Sequence, residues 1–378
     1  MSATINTKQL AAALELVRHA CAASGTLACV LLRWDDDGRF WIGATDYDRT
    51  YAARTAEEPA DDCSEVAVHG GALAGVVSAA GPELELATTN GAATAEKSLL
   101  PANDAPGLLV TSRRARWHLL GWPVSELPID AFDDVDLPTQ GTPYDVGGLA
   151  NVMPAVSTDA NRPALMQARV AGDGSAVATD GHRLMVHTTA LGDDPQTADA
   201  VLHGVLVPRV TAGLLAQHAS AQLLEDDHAW ILELPTGVVA WLVSRPIHED
   251  YPQVARVVPS WTKAPAVTVD RELLLDAIKR LKPVCDADTP IVLTVTAEEI
   301  KVDANARDRG DGATTVEVQQ AAHLDKERIR VGINPRYLRD ALAALGGITV
   351  RLSFAPDGDR SAPIVVGSHI VMPMRVPA

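Results

Sequence analysis

Val177-Ala178-Thr179-Asp180-Gly181-His182-Arg183-Leu184-Met185-Val186 is the stretch from which the fold can be read. Val177 and Ala178 lead in, Asp180-Gly181 is a favourable turn dipeptide, and Leu184 and Val186 alternate on the way out. That pattern spells strand, tight turn, strand. Asp180, His182 and Arg183 fall within four positions, and two readings stay open at this point. One is an acid/base pair beside an anion-binding arginine; the other, commoner for such a cluster, is a polar turn without chemistry.

Working outward, the chain repeats itself. Helix-like segments open at Asn6-Thr7-Lys8 running to Val17, at Asp145 to Val152 (weakened by Gly147 and Gly148), and at Val269 to Ile278 with Asp270 as N-cap. Aligning Leu10, Leu149 and Leu273 gives spacings of 139 and 124. Three strand-into-helix segments, around Val68, Val207 and Ile333, give 139 and 126. The opening stretch has counterparts at Gly43 to Arg49 and Val302 to Arg307, and aligning Thr45, Thr179 and Ala304 gives 134 and 125. Independent segments sharing nearly one pair of intervals imply three similar domains. Trailing strands are expected at Leu108-Val110 with Arg116-Leu120, at Ala229-Leu234 with Val238-Val243, and at Ile348-Phe354 with Ile364-Val366. Linkers fall at Asp130 to Tyr144 and at Val258 to Pro265, where Asp, Pro and Gly collect. The fold class is therefore α+β, with two helices on largely antiparallel sheet in each domain.

Composition limits the function. With 47% hydrophobic and 21% charged residues over 378 positions, the chain has ample material for globular cores. No apolar run approaches the roughly 20 residues of a membrane span, and no secretory leader is visible. Cys21, Cys29, Cys63 and Cys285 form no CxxC pair and have no histidine at ligand spacing, so reduced thiols and a cytoplasmic location are expected. The net charge of −17 opposes a simple nucleic-acid binder, but a locally basic face is compatible with an acidic exterior.

Ala178-Thr179-Asp180-Gly181-His182-Arg183-Leu184 resembles a signature of the bacterial beta sliding clamp family, the DNA polymerase III beta subunit. The stretch Ile370-Val371-Met372-Pro373-Met374-Arg375-Val376 is similar to that family's C-terminal tail. Tyr251 to Pro259 is similar to the segment joining its second and third domains, and Val331 to Leu338 to a further family stretch. The resemblance covers the whole chain, most weakly in the first domain. It implies three clamp domains, at 1–128, 129–259 and 260–378, in a head-to-tail homodimeric ring around duplex DNA. It also implies a non-catalytic processivity factor for DNA replication, located in the cytoplasm with the nucleoid. The polymerase and 3'-5' exonuclease activities of the holoenzyme would reside in partner subunits, and neither cofactor nor metal is implied.

By the same resemblance, a groove between the second and third domains receives short linear motifs of the polymerase catalytic subunit, clamp loader, translesion polymerases and repair proteins. Its residues would be Leu165, Thr179, Gly181, His182, Arg183 and Leu184; Pro252, Arg256 and Val257; and Asn334, Tyr337, Ile370, Val371, Met372, Pro373, Met374, Arg375 and Val376. Methionines suit such a site because they repack around different anchors. His182 and Arg183 are expected to offer donors to the peptide. Sequence-independent DNA contact is expected from Lys8, Arg18, Arg162, Arg209, Lys279, Arg280, Lys282, Arg336 and Arg339 on lining helices.

The chain departs from the family pattern after the first helix, where Ala22-Ala23-Ser24-Gly25 stands in place of a basic contact, and in three further places. Pro377 and Ala378 extend the tail, the groove-wall aromatic is missing near Thr289-Pro290, and Asp357-Gly358-Asp359-Arg360 makes one loop unusually charged. A specialised paralogue, serving a phage, plasmid, repair pathway or antibiotic resistance, is the alternative to a replicative clamp. The enzyme reading lacks a nucleophile motif, a phosphate-binding loop or metal-ligand spacing. The turn's counterparts around Thr45 and Ala304 are expected to keep its position without its Gly-His-Arg chemistry.

Overall fold

A computed structural model describes residues 2–34, 39–55, 65–89, 107–113, 115–128, 140–188, 204–224, 228–247, 250–261, 263–285, 289–306, 308–324, 328–356 and 358–376. Most of the first expected linker, Cys63, Arg307, Asp357, Pro377 and Ala378 lie outside these residues. The chain forms two compact units, residues 1–144 with 220–246 and residues 145–219 with 247–378.

The first unit is built on one sheet. Its strands run in the order Ser2–Asn6, Glu83–Thr89, Gly107–Ser112, Ala115–Trp122, Glu65–His69, Cys29–Trp34, Phe40–Thr45, Arg49–Arg54, Val239–Ser244, Ala229–Glu233, Ser220–Leu223 and Thr142–Asp145. The helix Thr7–Val17 starts where expected because Asn6 caps it, accepting from Lys8 N–H at 2.9 Å and Gln9 N–H at 3.4 Å. It buries Leu10, Ala13, Leu14 and Val17 against Phe40–Thr45 and Arg49–Arg54, and packs beside the helix Gly70–Ala79.

The second unit repeats the design. Its sheet runs Val205–Pro208, Gln167–Val170, Ala176–Thr179, Arg183–His187, His369–Val371, Ile364–Val366, Thr349–Ser353, Ala266–Asp270, Gly310–Ala322, Glu299–Ala306, Ile291–Val295 and Ile329–Ile333. Helices Arg271–Leu281 and Pro335–Ala344, capped by Asp270 and Asn334, bury Leu274, Ile278, Leu338 and Leu342 against Ile291, Val302, Ile333 and Leu352. Each such side chain contributes about 1.5–3 kcal/mol relative to exposure. The expected helix at Asp145 shrinks to Leu149–Val152. A Cβ on Gly148 would lie 2.0 Å from the Gly174 carbonyl, so the glycine that weakens the helix is what lets these backbones meet.

The fold is thus α+β, with paired helices and antiparallel strands. Two local readings need correction. Ala304 sits inside the strand Glu299–Ala306, paired with Gly312, and not at a turn. The Thr45 turn keeps more than its position, since Arg49 binds Asp46 there as Arg183 binds Asp180.

Candidate functional site

The Thr179–Arg183 turn is held from within. Thr179 Oγ1 donates to the Arg183 carbonyl at 2.7 Å and accepts from Gly181 N–H at 3.1 Å. One Asp180 carboxylate oxygen accepts from the backbone of His182 (2.9 Å) and Arg183 (3.1 Å), while the other accepts from Arg183 Nε at 3.0 Å. This is an Asx-type turn, and it needs the left-handed backbone that Gly181 supplies at φ +86°. Asp180 is therefore committed to structure, which removes it as a partner for acid/base chemistry by His182.

Arg183 is the turn's link to the rest of the site. Its side chain is 3% exposed, Nη1 donates to Asp340 at 2.7 Å, and Nη2 donates to the Pro154 carbonyl. Its guanidinium lies 4.5 Å from the centre of the Tyr337 ring. Arg183 is thus an internal strut, and the expectation that it donates to a peptide fails on burial. His182 stays exposed, its ring nearly parallel to that of Tyr337 at 6.3 Å. Asn334, by capping its helix, fixes the first turn from which Tyr337 projects. Burial, reinforced by the Asp180 charge, raises the Tyr337 phenol above its ordinary range against the opposing pull of Arg183 and Arg336.

The tail completes the arrangement. Val371 and Ile370 pair with Arg183 and Leu184, Met372 N–H donates to the His182 carbonyl at 2.8 Å, and Met374 N–H donates to the Gly332 carbonyl at 2.8 Å. Met372, Pro373, Met374 and Val376 are half-buried and Arg375 is exposed. Beneath them, Leu184 and Ile370 join Val177, Val186, Tyr251 and Val254 in a small apolar core. The connector is anchored there by Tyr251, whose phenol burial pushes well up. Pro252 is half-buried, while Arg256 and Val257 stand exposed beside the short helical turn Val254–Arg256. Leu165 is buried at the end of Pro163–Leu165. Direct contacts therefore unite Thr179 to Leu184, Asn334, Tyr337 and Ile370 to Met374, with the other expected residues arranged more loosely.

The basic residues divide differently. Lys8, Arg209, Lys279, Arg280, Arg336 and Arg339 are exposed on helices, and Arg18 and Lys282 on the 3-10 turns that follow two of them. Arg280 pairs with Asp276 at 2.6 Å. Arg339 pairs with Asp340 at 2.7 Å, and Arg336 approaches it at 3.8 Å. Arg162 lies on no helix; it donates to the Asp180 carbonyl at 3.2 Å and belongs with the turn. Asp340, the meeting point of three arginines, escaped the sequence reading. Its i,i+4 relation to Arg336 was visible, but its main partner lies 157 residues away. Among the described residues, no group of three or more His, Cys, Asp or Glu is placed to hold a metal ion, and no helix is long and apolar enough to cross a membrane.

Residues 255–368 match the family model described as the DNA polymerase III beta subunit, C-terminal domain. A beta sliding clamp of Rickettsia bellii is 22% identical over 298 residues, covering 71% of this chain and 75% of the relative. A beta sliding clamp homolog, GriR, of Streptomyces muensis is 25% identical, covering 67% of this chain and 71% of the relative. Coverage of the curated relatives' own length falls as low as 56%. The crystal structure of a DNA polymerase sliding clamp from Caulobacter crescentus superposes with a TM-score of 0.76 at 23% identity, over 100% of both chains.

Proposed function

We propose that this chain, whose fold is that of the bacterial beta sliding clamps, is itself a sliding clamp for DNA replication: a ring that holds a polymerase on duplex DNA. It has no catalytic role, works in the cytoplasm at the nucleoid, and divides into domains at 1–128, 129–259 and 260–378. The observation that carries this reading is the lacing of the Thr179–Leu184 turn, the Asn334–Tyr337 helix start and the Ile370–Met374 tail into one surface. That surface presents adaptable methionines, a histidine and a tyrosine to a short peptide. Its ligands would be linear motifs of the polymerase catalytic subunit, clamp loader, translesion polymerases and repair proteins.

Ring closure would be head to tail, and two open sheet edges support it. Ala115–Trp122 pairs with Gly107–Ser112 along residues 115–120, but its other edge is met only at Gly121 and Trp122, among the described residues. Gly310–Ala322 pairs with Glu299–Ala306 along residues 310–317, leaving the opposite edge of that segment without a strand among the described residues. The charge of Arg116 on one edge suits Asp311 and Glu317 on the other, and exposed Leu120 and Trp122 add apolar area to be covered. Exposed Lys8, Arg18, Arg209, Lys279, Arg280, Lys282, Arg336 and Arg339 would bind DNA phosphates irrespective of base sequence.

The test is solution mass together with loader-dependent retention on circular DNA. A dimer that is retained on circles and slides off after linearisation is expected; a monomer without retention refutes the ring. The unusually charged loop Asp357-Gly358-Asp359-Arg360 and the few basic residues of the first domain favour a second reading, a specialised paralogue. Failure to complement a host lacking its own clamp, despite ring assembly, would select that reading.

A further inference from the structure

The Asp180 turn has a close structural copy in the first unit, in which Thr45 Oγ1 meets the Thr50 hydroxyl where Thr179 Oγ1 meets the Arg183 carbonyl. Thr45 Oγ1 accepts from Tyr47 N–H at 3.2 Å, as Thr179 accepts from Gly181. Asp46 accepts from the backbone of Asp48 (3.1 Å) and Arg49 (2.8 Å) and from Arg49 Nε at 3.0 Å, as Asp180 does from His182 and Arg183. The strand after each turn pairs with a strand from far along the chain: Arg49 with Ser244, and Arg183 with Val371. The next residue closes the correspondence. Arg245 N–H donates to the Asp48 carbonyl at 2.7 Å, as Met372 N–H donates to that of His182 at 2.8 Å. Arg245-Pro246 therefore stands where the other unit has Met372-Pro373.

The two copies differ in what they show to solvent. The left-handed position is filled by Gly181 in one and by Tyr47, at φ +72°, in the other. An aromatic L-residue is disfavoured in that conformation, and Tyr47 gains little burial in return because it remains 61% exposed. Beside it opens a shallow cleft of about 620 Å³, lined by Tyr47, Asp48, His228, Val243, Arg245 and Pro246 among others. Val243 is 36% exposed, giving the cleft an apolar wall. Arg245 is 64% exposed and only loosely held by Asp48, at 3.6 Å.

We infer that this cleft is a second peptide-docking site, for a partner segment that places an aromatic or aliphatic side chain between Tyr47 and Val243 and a neighbouring carboxylate against Arg245 and His228. The ligand class rests on the peptide reading of the Met372 groove. The acidic preference rests on the exchange of methionine for arginine at the corresponding position and on the exposed His228 at the rim. Asp48, which stands where the other turn has His182, is 75% exposed and holds Arg245 only at 3.6 Å, so a peptide carboxylate competes with it.

The test uses the full-length protein, with Met374→Glu introduced to silence the first groove. The probes are two fluorescein-labelled peptides, Gly-Asp-Asp-Phe-Leu-Gly and its Lys-Lys counterpart, followed by fluorescence anisotropy. The acidic peptide should bind, and Val243→Asp or Arg245→Glu should each weaken it at least about tenfold. Tyr47→Gly should raise the thermal midpoint, by relieving the backbone, while weakening the peptide about fivefold; a purely structural tyrosine would move only the first readout. Preference for the Lys-Lys peptide, no binding by the Met374→Glu protein, or binding indifferent to Val243→Asp overturns the second site. If the unsubstituted protein still binds the acidic peptide at the first groove, that earlier reading survives; if it binds neither peptide at either place, both fall.

Discussion

Replacing Asp340 with asparagine isolates the contact on which the turn–helix connection depends. The side chain keeps its size but loses the charge facing Arg183, whose guanidinium is 3% exposed and 2.7 Å away. A hydrogen bond to a buried charged group is worth about 1.5–3 kcal/mol, and stripping a buried ion of every partner costs about 3–5 kcal/mol. Arg183 retains Asp180 and the Pro154 carbonyl, so the lower range applies and a loss of about 2 kcal/mol is expected. Native-state hydrogen exchange reads such a loss locally. Amides of the strand Arg183–His187 should exchange about 30-fold faster, while those of the first unit are unchanged. A double-mutant cycle with Arg183→Met should return a coupling of about 1.5–3 kcal/mol. Exchange that rises less than twofold, or a coupling near zero, would show that the pair is an incidental contact and that Tyr337 is positioned by its helix alone.

His369 gives a pH prediction. It is buried between the strands at the base of the tail, and burial, with His187 nearby, pushes its pKa down to about 4 from an ordinary value of 6.5. In the window between those values the unfolded chain binds the proton and the folded chain does not. The neutral imidazole therefore supports stability fully above pH 6.5, and that support is lost as pH falls towards 4. About 2 kcal/mol should go between pH 7 and 5 in urea titrations, and His369→Gln should flatten that slope. Lys279→Ala combined with Lys282→Ala should lower the salt-dependence slope of DNA retention by about 2, one for each lysine; an unchanged slope removes them from the DNA face. Leu120→Glu, on the open edge of Ala115–Trp122, should convert the proposed dimer to monomer in sedimentation; a dimeric mass unchanged at micromolar concentration places the interface elsewhere.

The parts of the fold visible in the sequence are those with local causes. Asn6 and Asp270 announce their helices because a cap acts within three residues. The strand–turn–strand at Thr179 was legible from alternation and Asp180-Gly181. The short helix at Leu149 was overestimated because the cost of Gly148 is set by a backbone from another segment. At the candidate site the residue types were legible and their division of labour was not. Arg183 and His182 are adjacent and both polar, yet one is buried by Asp340 and the other faces solvent. The likeness of the Thr45 and Thr179 turns was also underestimated. It resides in Thr, Asp and Arg at fixed offsets, whereas the eye is drawn to Gly-His.

The pairing of Arg183–His187 with His369–Val371 also sets an order of events during synthesis. The Ser368 hydroxyl and His369 ring meet Val186 across separations of 182 and 183 residues. A chain emerging from the ribosome would hold the finished turn long before the strand that flanks it exists. During that interval the edge of Arg183–His187 and its apolar neighbours Val177, Val186 and Tyr251 are uncovered, a state open to chaperones and to mispairing with another nascent chain. The candidate site is thus completed only late in translation. A chain interrupted before Ile370 would carry the turn but lack the surface that makes it a site.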